Sequence, residues 1–169
     1  NMGATGMQSS FFEDMVAEVL ALTGEDSPVK VRRALRNSCM LSSDVSAAYD
    51  PLYPEVFEKK NTAYFGRGLV LNKYTGSRGK NGTSDANAEY VAKVRNVFDN
   101  NHVAFQTAEL GKVDQGGGGT IAYVMANKAM SVIDSGVAVL SMHAPYEVTS
   151  KSDVYEVYRG YKAFLKDMK

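Results

Sequence analysis

Two side chains suited to metal chemistry stand where apolar runs end. Asp44 follows Cys39-Met40-Leu41-Ser42-Ser43, and His143 follows the run Val137 to Met142. In open α/β sheets, ligands gather beyond the carboxyl ends of strands, so a carboxylate and an imidazole at two such ends could share one site. Carboxylate oxygen and imidazole nitrogen are both good zinc ligands. Each residue also has an ordinary structural use. An aspartate at a strand end caps a turn, and a histidine beside Ala144-Pro145 hydrogen-bonds within a loop. Pattern alone leaves both readings open.

A second group of residues suits an anion. Asp114-Gln115 and four glycines, Gly116 to Gly119, lead into Thr120 and an apolar segment. Successive glycines let backbone N–H groups converge, and a following helix adds partial positive charge. The lysine of a Walker loop is absent, and no strand feeds the run with dinucleotide-loop spacing. The alternative is a tight turn for close helix–sheet packing. Upstream, Lys73 to Ser84 is rich in glycine, hydroxyls and basic residues, and Arg78 there could fork onto a carboxylate. Its alternative is a solvated basic loop. No Gly-x-Ser-x-Gly elbow is present, and Cys39 sits in an apolar run as a packing residue.

The elements that would position these groups follow from periodicity. Phe12, Met15, Val16, Val19 and Leu20 predict a helix that stops at Thr23-Gly24. Glu25 to Pro28 reads as a turn and Tyr49 to Asn61 as a loop. Short apolar runs at 39–41, 68–71, 103–105, 132–134 and 137–142 read as strands. Ser84 is the expected N-cap of a helix carrying Tyr90, Val91, Val94, Val97 and Phe98. A helix is expected from Thr120 through Met130. Ser152-Asp153 would cap a last helix with Val154, Tyr158, Tyr161 and Leu165 on one face. Short, continuously apolar strands are covered on both faces. The expectation is therefore a three-layer α/β/α fold with a mostly parallel central sheet.

Composition bounds the function. The 169 residues carry 19 basic and 19 acidic side chains, so a nucleic-acid partner is not expected. No run approaches a membrane span, and no charged-then-apolar leader opens the chain. One cysteine and two histidines exclude an internal disulfide and a zinc site built from cysteine or histidine alone.

Four segments in order carry a resemblance: Leu41-Ser42-Ser43-Asp44-Val45, Lys73 to Lys80, Val113-Asp114-Gln115 through Gly119-Thr120-Ile121, and Leu140-Ser141-Met142-His143. Together they resemble the aspartyl aminopeptidase / aminopeptidase I family of cocatalytic zinc exopeptidases, in its bacterial branch, along essentially the whole chain. The resemblance implies Asp44 as ligand of one metal and His143 as ligand of the other. It implies that Arg78, Asp114, Gly117, Gly118, Gly119 and Thr120 border the substrate pocket. Where eukaryotic relatives carry histidines after the aspartate, this chain has Ala47 and Asp50.

Family members also need a His-x-Asp pair, a bridging aspartate and a Glu-Glu pair that supplies the general base. None can be placed here, and Gly3-Ala4-Thr5-Gly6-Met7 resembles the residues that follow the Glu-Glu pair. Residues 1–169 are thus expected to be the C-terminal half of a metallopeptidase catalytic domain, with the base upstream of Asn1. The implied parent removes N-terminal residues from peptides with a pair of zinc ions, or cobalt or manganese. It works in the cytoplasm, joined to its N-terminal half, as a homo-oligomer that in this family is dodecameric. The alternatives are a noncatalytic α/β binding or assembly module and, more weakly, a nucleotide binder.

Overall fold

The computed structural model describes residues 2–78, 81–112 and 114–168. Five helices are defined: α1 (Phe11–Leu22), α2 (Pro28–Arg36), α3 (Ala88–Asn100), α4 (Ala122–Ala126) and α5 (Lys151–Asp167). The strands are β1 (Cys39–Ser43), β2 (Ser46–Ala47), β3 (Leu69–Asn72), β4 (Tyr74–Ser77), β5 (Asn81–Asp85), β6 (Phe105–Thr107), β7 (Ser131–Gly136), β8 (Ala138–Leu140) and β9 (Val148–Thr149).

The central sheet has the order β1-β7-β3-β6. β1 runs parallel to β7 and β3 parallel to β6, while β3 and β7 are antiparallel. Alternation along β1 and β7 separates two cores. Leu41 and Ile133 join Leu69, Leu71, Val94, Phe98 and Ala163 beneath α3 and α5. Met40 and Val132 join Ala122, Val124, Met125 and Phe12 beneath α4 and α1. The mixed α/β architecture with a mostly parallel sheet agrees with the expected fold class. Among the described residues no helix is long and apolar enough to cross a membrane.

Several local expectations are corrected. The segment after the first turn forms α2, with Pro28 in its first turn and only Leu35 buried. Its surface bears Lys30, Arg32, Arg33 and Arg36, so no apolar stripe announces it. Within Lys73 to Ser84 the described residues form two strands rather than a loop, β4 and β5 pairing antiparallel with Tyr74 opposite Asp85. A Lys73–Asp85 ion pair flanks them. Ser84 therefore lies in a strand, and the N-cap of α3 is Asn87, whose side chain accepts from the Tyr90 amide at 2.7 Å. α4 is only 5 residues long and ends well short of Met130.

The last helix departs from expectation at three of its four expected apolar positions, and only Tyr161 packs against the core. Val154, Tyr158 and Leu165 face solvent, Tyr158 at 59% and Leu165 at 84% exposure. The buried face is Asp153, Gly160 and Ala163. Gly160 lies so close to Leu69 that a Cβ would stand 2.7 Å from its Cδ1. Ser150 occupies the N-cap position, and the Asp153 carboxylate turns inward to accept the Gly66 and Gly68 amides, each at 2.8 Å.

Candidate functional site

Asp44 sits where two paired strands break together. β1 and β7 pair through Ser43 opposite Ser135, and β2 and β8 resume the parallel pairing at Ser46 opposite Ala138. Two residues intervene on each side, Asp44-Val45 and Gly136-Val137. The Asp44 amide reaches the Ser135 carbonyl at 3.4 Å. A Cβ on Gly136 would lie 1.6 Å from the Asp44 carbonyl oxygen, so only glycine permits this approach. From α5, Tyr161 Oη lies 2.5 Å from the same Ser135 carbonyl, to which it donates, and 2.9 Å from Ser43 Oγ. Burial and the nearby charges of Asp44 and Asp134 raise the Tyr161 phenol, with the Ser43 and Ser135 hydrogen bonds opposing. The Asp44 side chain is exposed, and its Oδ1 accepts from the Val45 amide at 2.8 Å.

His143 lies beyond β8, in the turn that leads back to β9. The Ala144 amide closes that turn on the Ser141 carbonyl. His143 is exposed and has φ +69°, and its amide donates to Glu147 Oε1 at 2.6 Å. Asp44 and His143 thus belong to one parallel two-stranded run, one at its break and one past its end. Both side chains are exposed, and carboxylate oxygen and imidazole nitrogen are donor types that zinc accepts. Among the described residues, no group of three or more His, Cys, Asp and Glu side chains could hold a metal ion.

The glycine segment docks on the β4–β5 hairpin. Gly76 donates to the Gly118 carbonyl at 3.0 Å, and Arg78 donates to the Gly116 carbonyl at 2.8 Å. Gly117 has φ +88°, and a Cβ there would stand 2.7 Å from the Gly76 carbonyl oxygen. The run is glycine at that point because two backbones touch. This brings Arg78 and Gly116 to Gly119 together on one ribbon. Asp114 lies just before it, exposed, with φ +66°, and Arg78 has φ +51°. Non-glycine residues in the left-handed region carry strain that surrounding structure must hold in place. Val113, Gly79 and Lys80, which belong to the segments that carry the resemblance, lie outside the described residues.

Thr120 is buried, at 7% exposure. Its Oγ1 donates to Asp134 Oδ2 at 2.9 Å, accepts from the Ala122 amide at 3.2 Å and lies 3.5 Å from Thr75 Oγ1. Asp134 is a buried carboxylate that sequence reasoning did not single out as a site residue. It is 2% exposed in the middle of β7, between Ser42 of β1 and Asn72 of β3. Burial raises its pKa to about 6, against the opposing hydroxyls of Ser42, Thr120 and Thr75, and the Asp44 charge adds to the rise. Its sequence signal was present: an acidic residue inside Val132-Ile133-Asp134, where a fully buried strand seldom admits a charge.

Known proteins match the chain along its length. A family model described as "Aminopeptidase I zinc metalloprotease (M18)" matches residues 1–165. The protein named "Probable M18 family aminopeptidase 1" from Clostridium acetobutylicum is 61% identical over 167 residues, covering 99% of this chain and 36% of that protein. Its namesake from Thermotoga maritima is 43% identical over 98% of this chain and 37% of its own length. The crystal structure of aminopeptidase I from Clostridium acetobutylicum superposes with a TM-score of 0.86 over 97% of this chain and 35% of that one, at 62% identity. The M18 aminopeptidase structure from Thermotoga maritima gives 0.92 over 97% and 37%, at 43% identity. The chain spans about a third of the length of the relatives it matches. A match that runs from Asn1 to Leu165 places the chain in the M18 aminopeptidase I family of zinc metalloproteases.

Proposed function

We propose that this chain is the C-terminal half of a metalloaminopeptidase catalytic domain that removes N-terminal residues from peptides. One observation carries the reading. Of the six described non-glycine residues with positive φ, three are Arg78, Asp114 and His143, singled out from sequence without knowledge of their conformation. Strain of this kind gathers at functional sites.

In this reading Asp44 and His143 each hold one ion of a zinc pair, and cobalt or manganese could replace zinc. The metals, when bound, supply Lewis acidity and an activated water. The protein's own residues do the rest. The Ser135 carbonyl, Gly136 and Tyr161 fix the backbone from which Asp44 projects. The Glu147 carboxylate, taking the His143 amide, fixes the turn from which the imidazole projects. Arg78 offers a fork to a substrate carboxylate. Asp114, Gly117, Gly118, Gly119 and Thr120 wall the peptide pocket. The general base and the remaining ligands lie upstream of Asn1, in the N-terminal half with which this half pairs. The whole protein is a cytoplasmic homo-oligomer. A relative of the same fold has been solved as a dodecamer.

The test compares two preparations. With added zinc, the full-length protein is expected to release N-terminal residues from peptides in a chelator-sensitive reaction. The purified 169-residue chain is expected to release none. Chelator-sensitive turnover by the isolated chain would overturn the half-site reading.

A further inference from the structure

Beneath the glycine segment lies a polar cluster that the metal chemistry does not use. Asp134 and Thr120 are both buried, and their side chains meet at 2.9 Å. Thr75, in the hairpin strand β4, is 2% exposed and lies 3.5 Å from the Thr120 hydroxyl. Asn72 is also buried and accepts from Ser46 at 3.3 Å. Asp134 Oδ1 and Ser42 Oγ are buried and meet no full hydrogen-bond geometry among the described residues, although the Ser42 hydroxyl is near enough to hold the Asp134 pKa down. A buried carboxylate held by so few good hydrogen bonds is costly, and such a group persists where something else depends on it.

What depends on it can be traced. Thr120 is where the glycine segment ends and α4 begins, and its hydroxyl also caps the Ala122 amide. The glycine segment in turn receives the Gly76 and Arg78 amides of the hairpin. The Asp134–Thr120 contact therefore anchors one end of the ribbon that presents Arg78 and the glycines, and Thr75 stands beside it from the other strand.

We propose that Asp134 is a positioning residue for the peptide pocket, holding the glycine segment and the Arg78 hairpin in register through Thr120. It touches neither metal nor substrate. The inference rests on the proposed aminopeptidase reading for its kinetic consequence and on the hydrogen-bond geometry for its structural one.

The experiment uses the full-length zinc-loaded protein at one pH above neutrality and compares wild type with Asp134→Ala, Asp134→Asn and Thr120→Val. Losing a buried hydrogen bond to a charged group corresponds to a fold-change of roughly 10 to 100. Asp134→Ala and Thr120→Val are expected to raise KM for a peptide substrate by about that factor, with kcat changed less than about threefold and zinc content unchanged. Asp134→Asn, which keeps an oxygen for the Thr120 hydroxyl, is expected to return KM to within about threefold of wild type. Hydrogen exchange is expected to quicken at the Gly76 and Arg78 amides in Asp134→Ala and Thr120→Val, because those amides report whether the glycine segment stays docked. If Asp134→Ala fails to fold, exchange at the Gly76 and Arg78 amides in Thr120→Val, an almost isosteric change that removes the same hydrogen bond, carries the structural test.

Unchanged KM together with unchanged exchange at Gly76 and Arg78 would overturn the proposal while leaving the aminopeptidase reading standing. So would failure of Asp134→Asn to restore KM in a folded, zinc-replete protein. If the wild-type protein shows no peptidase activity, the functional reading fails by itself. The exchange comparison then decides the positioning claim, with unchanged protection in Thr120→Val overturning it.

Discussion

Gly136 and Asp134 show how much a single atom decides at this site. The Gly136 Cα lies against the Asp44 carbonyl, and a methyl group would stand 1.6 Å from that oxygen. Neither backbone can retreat without breaking the paired strands. Gly136→Ala is expected to destabilise the fold by about 3 kcal/mol or more, measured by chemical denaturation. An unfolding curve superposing on wild type would show that Asp44 is not held by this contact. At Asp134, burial raises the folded pKa to about 6 from an ordinary 3.8. Between those values the folded state binds more protons than the unfolded state, so this group makes stability fall as pH rises from about 4 to about 6. In chelator, the stability of Asp134→Asn relative to wild type should therefore grow with pH. The gain should reach about 3 kcal/mol between pH 3 and pH 8. A pH-independent difference would mean that Asp134 titrates normally.

Helix α5 shows what periodicity can and cannot reveal. Of its expected apolar stripe, Val154, Tyr158, Tyr161 and Leu165, only Tyr161 packs inward, and the other three face outward. At its closest approach to the core the inward face is small, Gly160 and Ala163, because a Cβ at 160 would meet Leu69 and Phe98, and Val157, Tyr161 and Phe164 pack around them. Small residues carry little hydropathy, so a search for apolar recurrence misses them. α2 was invisible for the opposite reason: four basic residues surround a single buried Leu35. β1, β3, β7 and β8 were legible from short apolar runs, and the fold class followed from their order. Asp153 illustrates a third case. The sequence reading makes Ser152-Asp153 the cap, whereas Ser150 holds that position and Asp153 lies inside the first turn; its work is tertiary, accepting two amides, of Gly66 and Gly68, while 1% exposed. Asp153→Ala would orphan both amides and is expected to cost about 3 kcal/mol in unfolding free energy. A loss below about 0.5 kcal/mol would show that water replaces the carboxylate.

Across the whole molecule, the residues named from sequence fall into two groups. Arg78 and the glycines share one ribbon, joined by backbone hydrogen bonds, and Asp114 leads into it. That joining was illegible in advance because a hairpin of Tyr, Thr, Gly and Ser has no apolar alternation to mark it as strands. Asp44 and His143 lie along one pair of parallel strands, legible from the polar ends of two apolar runs. Apolar side chains remain exposed in series on α1, at Phe11, Met15, Val19 and Leu22, as well as on α5. α1 has no buried residue at all. These faces are larger than the occasional surface leucine that any protein tolerates, and in the proposed reading they belong to contacts with the rest of the assembly.

The central claim is that His143 holds one of the metals. The most direct measurement is zinc stoichiometry, by elemental analysis, of the full-length protein carrying His143→Ala or His102→Ala. His102 lies just past the end of α3, exposed, with its amide donated to the Asp99 carbonyl, far in the sequence from Asp44 and His143. The account predicts that His143→Ala loses about one zinc of two while His102→Ala keeps both. Full zinc in His143→Ala, or loss of zinc in His102→Ala instead, would contradict it.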